Sequence, residues 1–217
     1  MLPLKPFYMI RHGQTEHNIA GIAAGGETDS ALTAQGRQQP QDLAPYLPKL
    51  EIQPGKIFHS SLQRARDTAR YLNEALDLEM EEMHDLKEQD LGDWAGLEWQ
   101  DPQINFKKDM TPPNGETGAQ FGARVQRALT YCLEQSEWGK PPLVVCHGGL
   151  FFGIGIVYNI YEAMTDIRNC ELHYFEPHTD HPYFPWKIIR YEIDGDKLSR
   201  SSTPFCATNL PHERSAK

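Results

Sequence analysis

The sequence predicts an α/β fold built around parallel strands. Two short apolar runs, residues 8–10 and 142–146, predict buried strands, and a histidine and a glycine follow each run within three residues. Strands of this kind, apolar on both faces, fill parallel sheets that are covered by helices. Apolar residues at helical spacing between the two runs predict those covering helices. With 217 residues and 39% hydrophobic content, we expect one domain spanning residues 1–217.

Composition narrows the classes of partner. The formal net charge is −9 and the pI is near 5.4. Proteins bind nucleic acids and membrane surfaces through basic patches, so this acidic composition argues against both classes of partner. Residues 1–6 contain no long apolar segment, so we expect neither a secretory signal nor a membrane span, and a cytoplasmic location. The cysteines are widely spaced and are expected to be free thiols. They are Cys132, Cys146, Cys170 and Cys206.

The first predicted strand ends in Arg11, His12 and Gly13. In open α/β sheets, ligands bind where the strands end. Arginine offers a forked, permanently charged donor that suits phosphate, and a neutral imidazole is a nucleophile that can carry a phosphoryl group. The triplet alone also fits a surface turn with one basic residue.

The next segment predicts a helix, a strand and a second helix. Thr33 is a plausible N-cap, but Gly36, Pro40 and Pro45 disfavour a regular helix, so we expect a kinked or late-starting one. Residues 56–59 predict a short strand, and Ser61 is the predicted cap of the helix that follows. This places Arg64 in the first turn, where free N–H groups and the helix dipole favour an anion.

An acidic loop follows at residues 85–93. A carboxylic acid there could protonate a departing oxygen. From chemistry alone the acid remains open, since the loop also fits a solvated surface, and its candidates are Asp85, Glu88, Asp90 and Asp93. Residues 98–115 predict a long loop that extends over the site, where it could act as a lid. Thr117 and Gln120 then form a predicted capping box, and Glu116 before it is expected to be structural.

The second apolar strand ends at His147, Gly148 and Gly149, which repeats the arrangement of the first loop. Two imidazoles could therefore face one phosphate. Residues 150–160 predict an apolar helix, and residues 171–176 and 186–193 predict strands. Asp194 and Gly195 predict a hairpin turn.

Four motifs in this order resemble the histidine phosphatase superfamily, which includes the cofactor-dependent phosphoglycerate mutases. They are Arg-His-Gly-Gln-Thr-x-x-Asn from residue 11, Ser-x-Leu-x-Arg-Ala-x-x-Thr-Ala from residue 60, Leu-x-Glu-x-x-x-Gly-x-x-x-Gly from residue 86, and His-Gly-Gly from residue 147. The resemblance implies a three-layer α/β/α sandwich with a mostly parallel central sheet, like that of phosphoglycerate mutase. Gln14 departs from the glutamate often found beside the first triplet, which leaves the role of that position open.

The resemblance also implies a two-step phosphoryl transfer. His12 attacks phosphorus and Glu88 protonates the leaving oxygen, then serves as the base for water. The implied charge-stabilising groups are Arg11, Arg64 and a protonated His147, and the implied substrate contacts also include Thr15, Asn18 and Gly148. No metal or other cofactor is implied, and the expected substrate is a phosphorylated small molecule.

Three alternatives to a phosphatase stay open at this stage. A phosphoglycerate mutase would need more cations than Lys107 and Lys108, which are the basic residues that the predicted long loop supplies. A non-catalytic phospho-ligand binding protein would keep the pocket without turnover. A zinc hydrolase could use His178 and His181, although their spacing matches no fixed zinc pattern. The substrate and the oligomeric state are not predicted.

Overall fold

A computed structural model describes residues 1–105, 111–137, 139–160, 167–178 and 184–203. Its strands join into one seven-stranded sheet. In chain order they are β1 (Phe7–Arg11), β2 (Lys56–Ser60), β3 (Met80–Met83), β4 (Pro142–Cys146), β5 (Leu172–Pro177), β6 (Trp186–Asp194) and β7 (Lys197–Thr203). The spatial order is β3-β2-β4-β1-β5-β6-β7.

The sheet has a parallel half and an antiparallel half. Strands β3, β2, β4 and β1 are parallel, whereas β5, β6 and β7 join antiparallel to β1 and to one another. The expectation of a mostly parallel sheet therefore holds for one half only. The antiparallel half begins where β5 pairs with β1 in the reverse direction. It continues because β6 and β7 are joined by a tight hairpin, and a short turn can join only antiparallel strands. The hairpin predicted at Asp194 and Gly195 is present, with Gly195 and Asp196 as its turn residues.

Helices cover both faces of the sheet. They are α1 (Glu16–Ala20), α2 (Ala34–Leu43), α3 (Gln63–Asn73), α4 (Gly118–Glu134) and α5 (Gly148–Tyr158). Alternate residues of β1 point to opposite faces: Met9 packs with α4 and α5, and Ile10 packs with α2 and α3. These two apolar layers confirm the three-layer sandwich.

For α2, expected to be kinked or late-starting, the late start is wrong, and so is the predicted cap of α3. Helix α2 does not start late: it begins directly after the predicted cap Thr33 and passes into a 3-10 helix, Ala44–Lys49, before Pro45 can interrupt it. Ser61 does not cap α3, because Leu62 occupies the cap position and the backbone N–H of Leu62 donates to Ser60 Oγ. The predicted capping box of Thr117 and Gln120 is present at the start of α4.

Gly36 has a packing role that its sequence did not reveal. A Cβ atom on Gly36 would overlap the carbonyl oxygen of Gln14, and one on Gly13 would overlap the carbonyl oxygen of Gly36. The first turn of α2 therefore lies directly against the loop that follows β1. Glycine at both positions lets the two backbones come this close.

Several expectations fall partly outside the described residues. Residues 106–110 of the predicted lid, together with Cys206 and His181, lie outside them. The three cysteines in the described part of the chain carry free thiols. Within that part, no helix is long and apolar enough to cross a membrane.

Candidate active site

The predicted site residues meet at the edge of the sheet where β1, β2 and β4 end. They surround a cavity of about 380 Å³. Seven of the eight line it, namely Arg11, His12, Thr15, Asn18, Arg64, Glu88 and Gly148. The eighth, His147, lies against His12 with the two ring centroids 5.1 Å apart. Residues up to 137 positions apart in sequence thus form one cluster.

His12 has the protonation state of a nucleophile. Its Nδ1 lies 2.7 Å from the carbonyl oxygen of Gly13, and because a carbonyl can only accept, Nδ1 carries the hydrogen. The lone pair is then on Nε2. Burial, together with the charges of Arg64 and Arg11, lowers the pKa of His12 well below the ordinary histidine value. The ring is therefore neutral near pH 7.

Backbone and side-chain contacts fix the loop that carries His12. The backbone N–H of His12 donates to the carbonyl of Cys146 in β4 (2.9 Å). The N–H of Gly13 donates to Thr68 Oγ1 in α3 (2.9 Å), and Asn169 Nδ2 donates to the carbonyl of His12 (2.9 Å). His12 is thus held from three sides, as a group that attacks in line would need to be.

The two arginines are held by backbone carbonyls. Arg11 Nη1 donates to the carbonyl of Ile167 (2.7 Å). Arg64 donates to the carbonyls of Gly25 and Thr28, both at 2.9 Å, and contacts Asp29 Oδ1 at 3.1 Å. Burial lowers the pKa of both guanidinium groups, but arginine remains a cation near neutral pH. Two positive charges therefore converge on His12.

His147 is neutral in this structure, contrary to the protonated form that the resemblance implied. It is completely buried, and burial with the charges of Arg64 and Arg11 lowers its pKa well below the ordinary value. Its Nε2 lies 2.8 Å from Ser60 Oγ, an oxygen that already accepts the N–H of Leu62. The Ser60 hydroxyl can then donate to Nε2, which leaves the hydrogen of the neutral ring on Nδ1. In that tautomer, His147 offers a hydrogen-bond donor without a charge.

Glu88 is held by two backbone amides. Its Oε1 accepts from the N–H of Gln89 and its Oε2 from that of Gly149, both at 2.9 Å. A Cβ atom on residue 149 would overlap this carboxylate, so the second glycine after His147 is needed here. Among the described residues, Glu88 supplies the only carboxylate that lines the cavity.

The other candidate acids point elsewhere. Asp85 pairs with Arg127 at 3.5 Å, Asp90 Oδ1 accepts the N–H of Gly92, and Asp93 accepts from Asn114. These contacts leave Glu88 as the candidate acid that the geometry favours.

Arg124 in α4 binds the backbone of the acidic loop, residues 85–93, and acts as its clamp. Its guanidinium pairs with both carboxylate oxygens of Glu116 at 2.9 and 2.6 Å. It also donates to the carbonyls of Asp85, Lys87 and Glu88 at 2.8–3.1 Å. Arg124 therefore fixes the backbone on which Glu88 stands, and Glu116 is structural, as expected.

Thr15 and Asn18 form a capping box at the start of α1. Each binds the backbone N–H of the other, and Asn18 Oδ1 also accepts from Asn169. Gln14 turns away from the cavity lining and accepts the hydroxyl of Thr33. Gln14 thus joins the first loop to the start of α2.

Sequence reasoning missed four positioning residues: Ser60, Thr68, Arg124 and Asn169. Thr68 is a fixed position of the second motif, so the pattern marked the residue without indicating its contact with Gly13. The contacts of Arg124 and Asn169 depend on packing between distant segments and left no local signal.

The fold and the site define an α/β protein with a cavity lined by two arginines and a histidine, beside which a second histidine is buried. A family model described as histidine phosphatase superfamily (branch 1) matches residues 7–179. The chain belongs to this superfamily.

Relatives carry two kinds of name. Probable phosphoglycerate mutase GpmB of Serratia proteamaculans is 32% identical over 193 residues, which cover 82% of this chain and 86% of the relative. Glucosyl-3-phosphoglycerate phosphatase of Mycobacterium tuberculosis is 34% identical over 158 residues, covering 65% and 70%. A mycobacterial glucosyl-3-phosphoglycerate phosphatase solved with VO3 superposes with a TM-score of 0.71 at 27% identity, covering 85% of this chain and 97% of that one. These similarities support an enzyme of the phosphatase or mutase class.

Proposed function

We propose that the protein is a metal-independent phosphatase that hydrolyses phosphomonoesters through a phosphohistidine on His12. One observation carries the proposal. Arg11 Nε and His147 Nδ1 are buried nitrogens without a hydrogen-bond partner among the described residues. Arg11 lines the cavity together with His12, and the ring of His147 lies 5.1 Å from that of His12 between centroids. Buried donors need acceptors, and the oxygens of a phosphoryl group supply them.

The first step transfers the phosphoryl group to the enzyme. The lone pair of His12 Nε2 attacks phosphorus, and the ester P–O bond breaks as the P–N bond forms. Arg11 and Arg64 neutralise charge on the equatorial oxygens, while His147 Nδ1 donates a hydrogen bond. Glu88, in its acid form, passes its proton to the departing alkoxide oxygen. The hydrogen bond from Nδ1 to Gly13 holds the proton that the phosphorylated ring retains.

The second step returns the enzyme to its first state. Glu88, now a carboxylate, removes a proton from water as the water oxygen attacks phosphorus. The P–N bond breaks, its electron pair returns to His12 Nε2, and inorganic phosphate is released. The amides of Gln89 and Gly149 keep the carboxylate in place through both steps.

A second candidate, phosphoglycerate mutase-type transfer, is favoured by the names of several relatives. A mutase holds a bisphosphate intermediate and needs cations for its second phosphate. In the described lining of the cavity, the cationic side chains are Arg11 and Arg64, and the proposed mechanism uses both for the transferred phosphate. The described lining therefore offers no further cation for a second phosphate, which favours hydrolysis over mutase chemistry.

A product assay separates these functions. We expect the purified protein to release phosphate from 4-nitrophenyl phosphate at the same rate with and without EDTA. His12→Ala should abolish release, whereas His84→Ala, a matched change of an exposed histidine, should not. With 3-phosphoglycerate and a trace of 2,3-bisphosphoglycerate, phosphate release should exceed formation of the 2-isomer. Isomer exchange that outpaces release would establish a mutase, and loss of activity with EDTA would establish a metal hydrolase.

A further inference from the structure

We propose that the alcohol portion of the substrate carries an apolar ring and no second anionic group. This inference rests on the proposed function and concerns the part of the cavity beyond the phosphate-binding residues. That part is lined by Ile22, Ala24, Leu91, Trp99, Phe152 and Ile167. A leaving group bonded to a phosphoryl group on His12 would share the cavity with these six apolar residues.

The apolar wall is a built feature of the fold. The backbones of residues 21–23 and 96–99 are joined by hydrogen bonds, including Trp99 N–H to the carbonyl of Gly21 (2.9 Å) and Ala23 N–H to that of Leu97 (2.8 Å). Behind them, Ala23, Leu91 and Trp94 form a small buried cluster. The part of the wall around Ile22, Leu91 and Trp99 therefore has a small core of its own, whereas Phe152 belongs to α5 and Ile167 packs against the large core.

Trp99 shows that the wall is suited to a ligand. Its side chain lines the cavity and is 48% exposed. Large aromatic surfaces with one apolar face in a concave site are typical of ligand recognition, and offset or edge-to-face contacts between rings add to burial. A ring on the substrate would cover this surface.

The described lining disfavours a second anion. Beyond Arg11 and Arg64, no lysine or arginine contributes to the described lining, and Glu88 adds a carboxylic group. Nearby Lys87 is directed to Glu27, with a distance of 2.8 Å between Nζ and Oε1. A carboxylate or a second phosphate on the leaving group would be desolvated without a partner, which is costly.

The volume limits the size of the group. Small-molecule sites commonly enclose roughly 300–1,000 Å³, and the cavity of about 380 Å³ is near the lower end of that range. It suits a phosphate with a single modest ring better than a phosphorylated polypeptide segment.

Binding of inert phosphonates tests the inference without requiring turnover. By isothermal titration calorimetry, we expect benzylphosphonate to bind about 10–100-fold more tightly than ethylphosphonate, because its ring buries additional apolar area. 3-Phosphonopropionate, which adds a carboxylate to a short chain, should bind no more tightly than ethylphosphonate. Trp99→Ala should weaken benzylphosphonate roughly tenfold and change ethylphosphonate by less than about twofold. Ile193→Ala, a matched change of an exposed apolar residue on β6, should alter neither.

Two results would overturn the inference. One is equal affinity for benzylphosphonate and ethylphosphonate in the wild-type protein, and the other is tightest binding of 3-phosphonopropionate. The predicted ranking in a protein that hydrolyses no phosphomonoester would refute the phosphatase and still support the apolar subsite. Failure of the inference and failure of the proposed function are therefore separate outcomes.

Discussion

Glu88→Gln should separate leaving groups by their need for a proton. In the proposed first step, Glu88 protonates the departing oxygen, and glutamine has no acidic proton to give. Alkoxides are poor leaving groups, so an alkyl phosphate should lose about 10²–10⁴-fold in kcat. A 4-nitrophenolate leaves without help, and we expect its loss to be less than about tenfold when phosphorylation of His12 limits the rate.

The contacts of Glu88 also set a cost in stability. Both carboxylate oxygens accept backbone N–H groups, from Gln89 and Gly149. Glutamine retains one acceptor oxygen, so one of these two amides loses its partner, at a cost of about 1–3 kcal/mol. For a chain of 217 residues, this corresponds to a fall of roughly 2–12 °C in Tm. Assays should therefore be run well below the Tm of the variant.

The assay compares kcat for benzyl phosphate and 4-nitrophenyl phosphate in three proteins: wild type, Glu88→Gln and Asp90→Asn. Asp90 is the matched control, since it belongs to the same loop but its carboxylate binds the N–H of Gly92. We expect the selective loss in Glu88→Gln alone. Two outcomes would refute the reasoning. One is a selective loss of kcat on benzyl phosphate in Asp90→Asn while Glu88→Gln is unaffected, and the other is a loss of kcat in Glu88→Gln on 4-nitrophenyl phosphate alone.

Three further predictions concern the site and its supports. First, the pKa values of His12 and His147 are lowered in the folded protein, so protons bind preferentially to the unfolded chain. The free energy of unfolding should therefore fall as the pH drops below about 6.5, by up to about 1.4 kcal/mol per pH unit for each histidine. In urea melts, His12→Gln should make this dependence on pH less steep. Second, Gly149→Ala should displace the Glu88 carboxylate and lower kcat on alkyl phosphates about 10²-fold while far-UV circular dichroism stays unchanged. Third, Arg124→Met should lower the free energy of unfolding by about 3 kcal/mol, because it leaves a largely buried carboxylate unpaired; an unchanged Tm would contradict the clamp.

The sequence predicted the parts of the site that follow from strand ends. Arg11, His12 and His147 come directly after apolar strands, and parallel neighbours bring their ends to one edge, so their meeting could be anticipated. Arg64 was also placed correctly at a helix start, although the cap named for that helix was wrong. Strand ends and helix starts of this kind can be predicted because they depend on residues that are close in sequence.

Other features could not be read from sequence. The neutral state of His147 depends on complete burial beside two arginines, and burial is a property of the whole fold. The contacts of Asn169 with His12 and Asn18 join segments more than 150 residues apart. The antiparallel half of the sheet arises because β5 pairs with β1 in the reverse direction, a choice that no local motif encodes.

The central claim is that His12 carries the phosphoryl group during turnover. Wild-type protein mixed with a ³²P-labelled phosphomonoester and quenched within milliseconds should carry label that is lost in acid and kept in base, as expected of phosphohistidine. Peptide mapping should place that label on His12, and His12→Ala should carry none and hydrolyse nothing. Label on any other residue, or wild-type rates of hydrolysis in His12→Ala, would contradict the account.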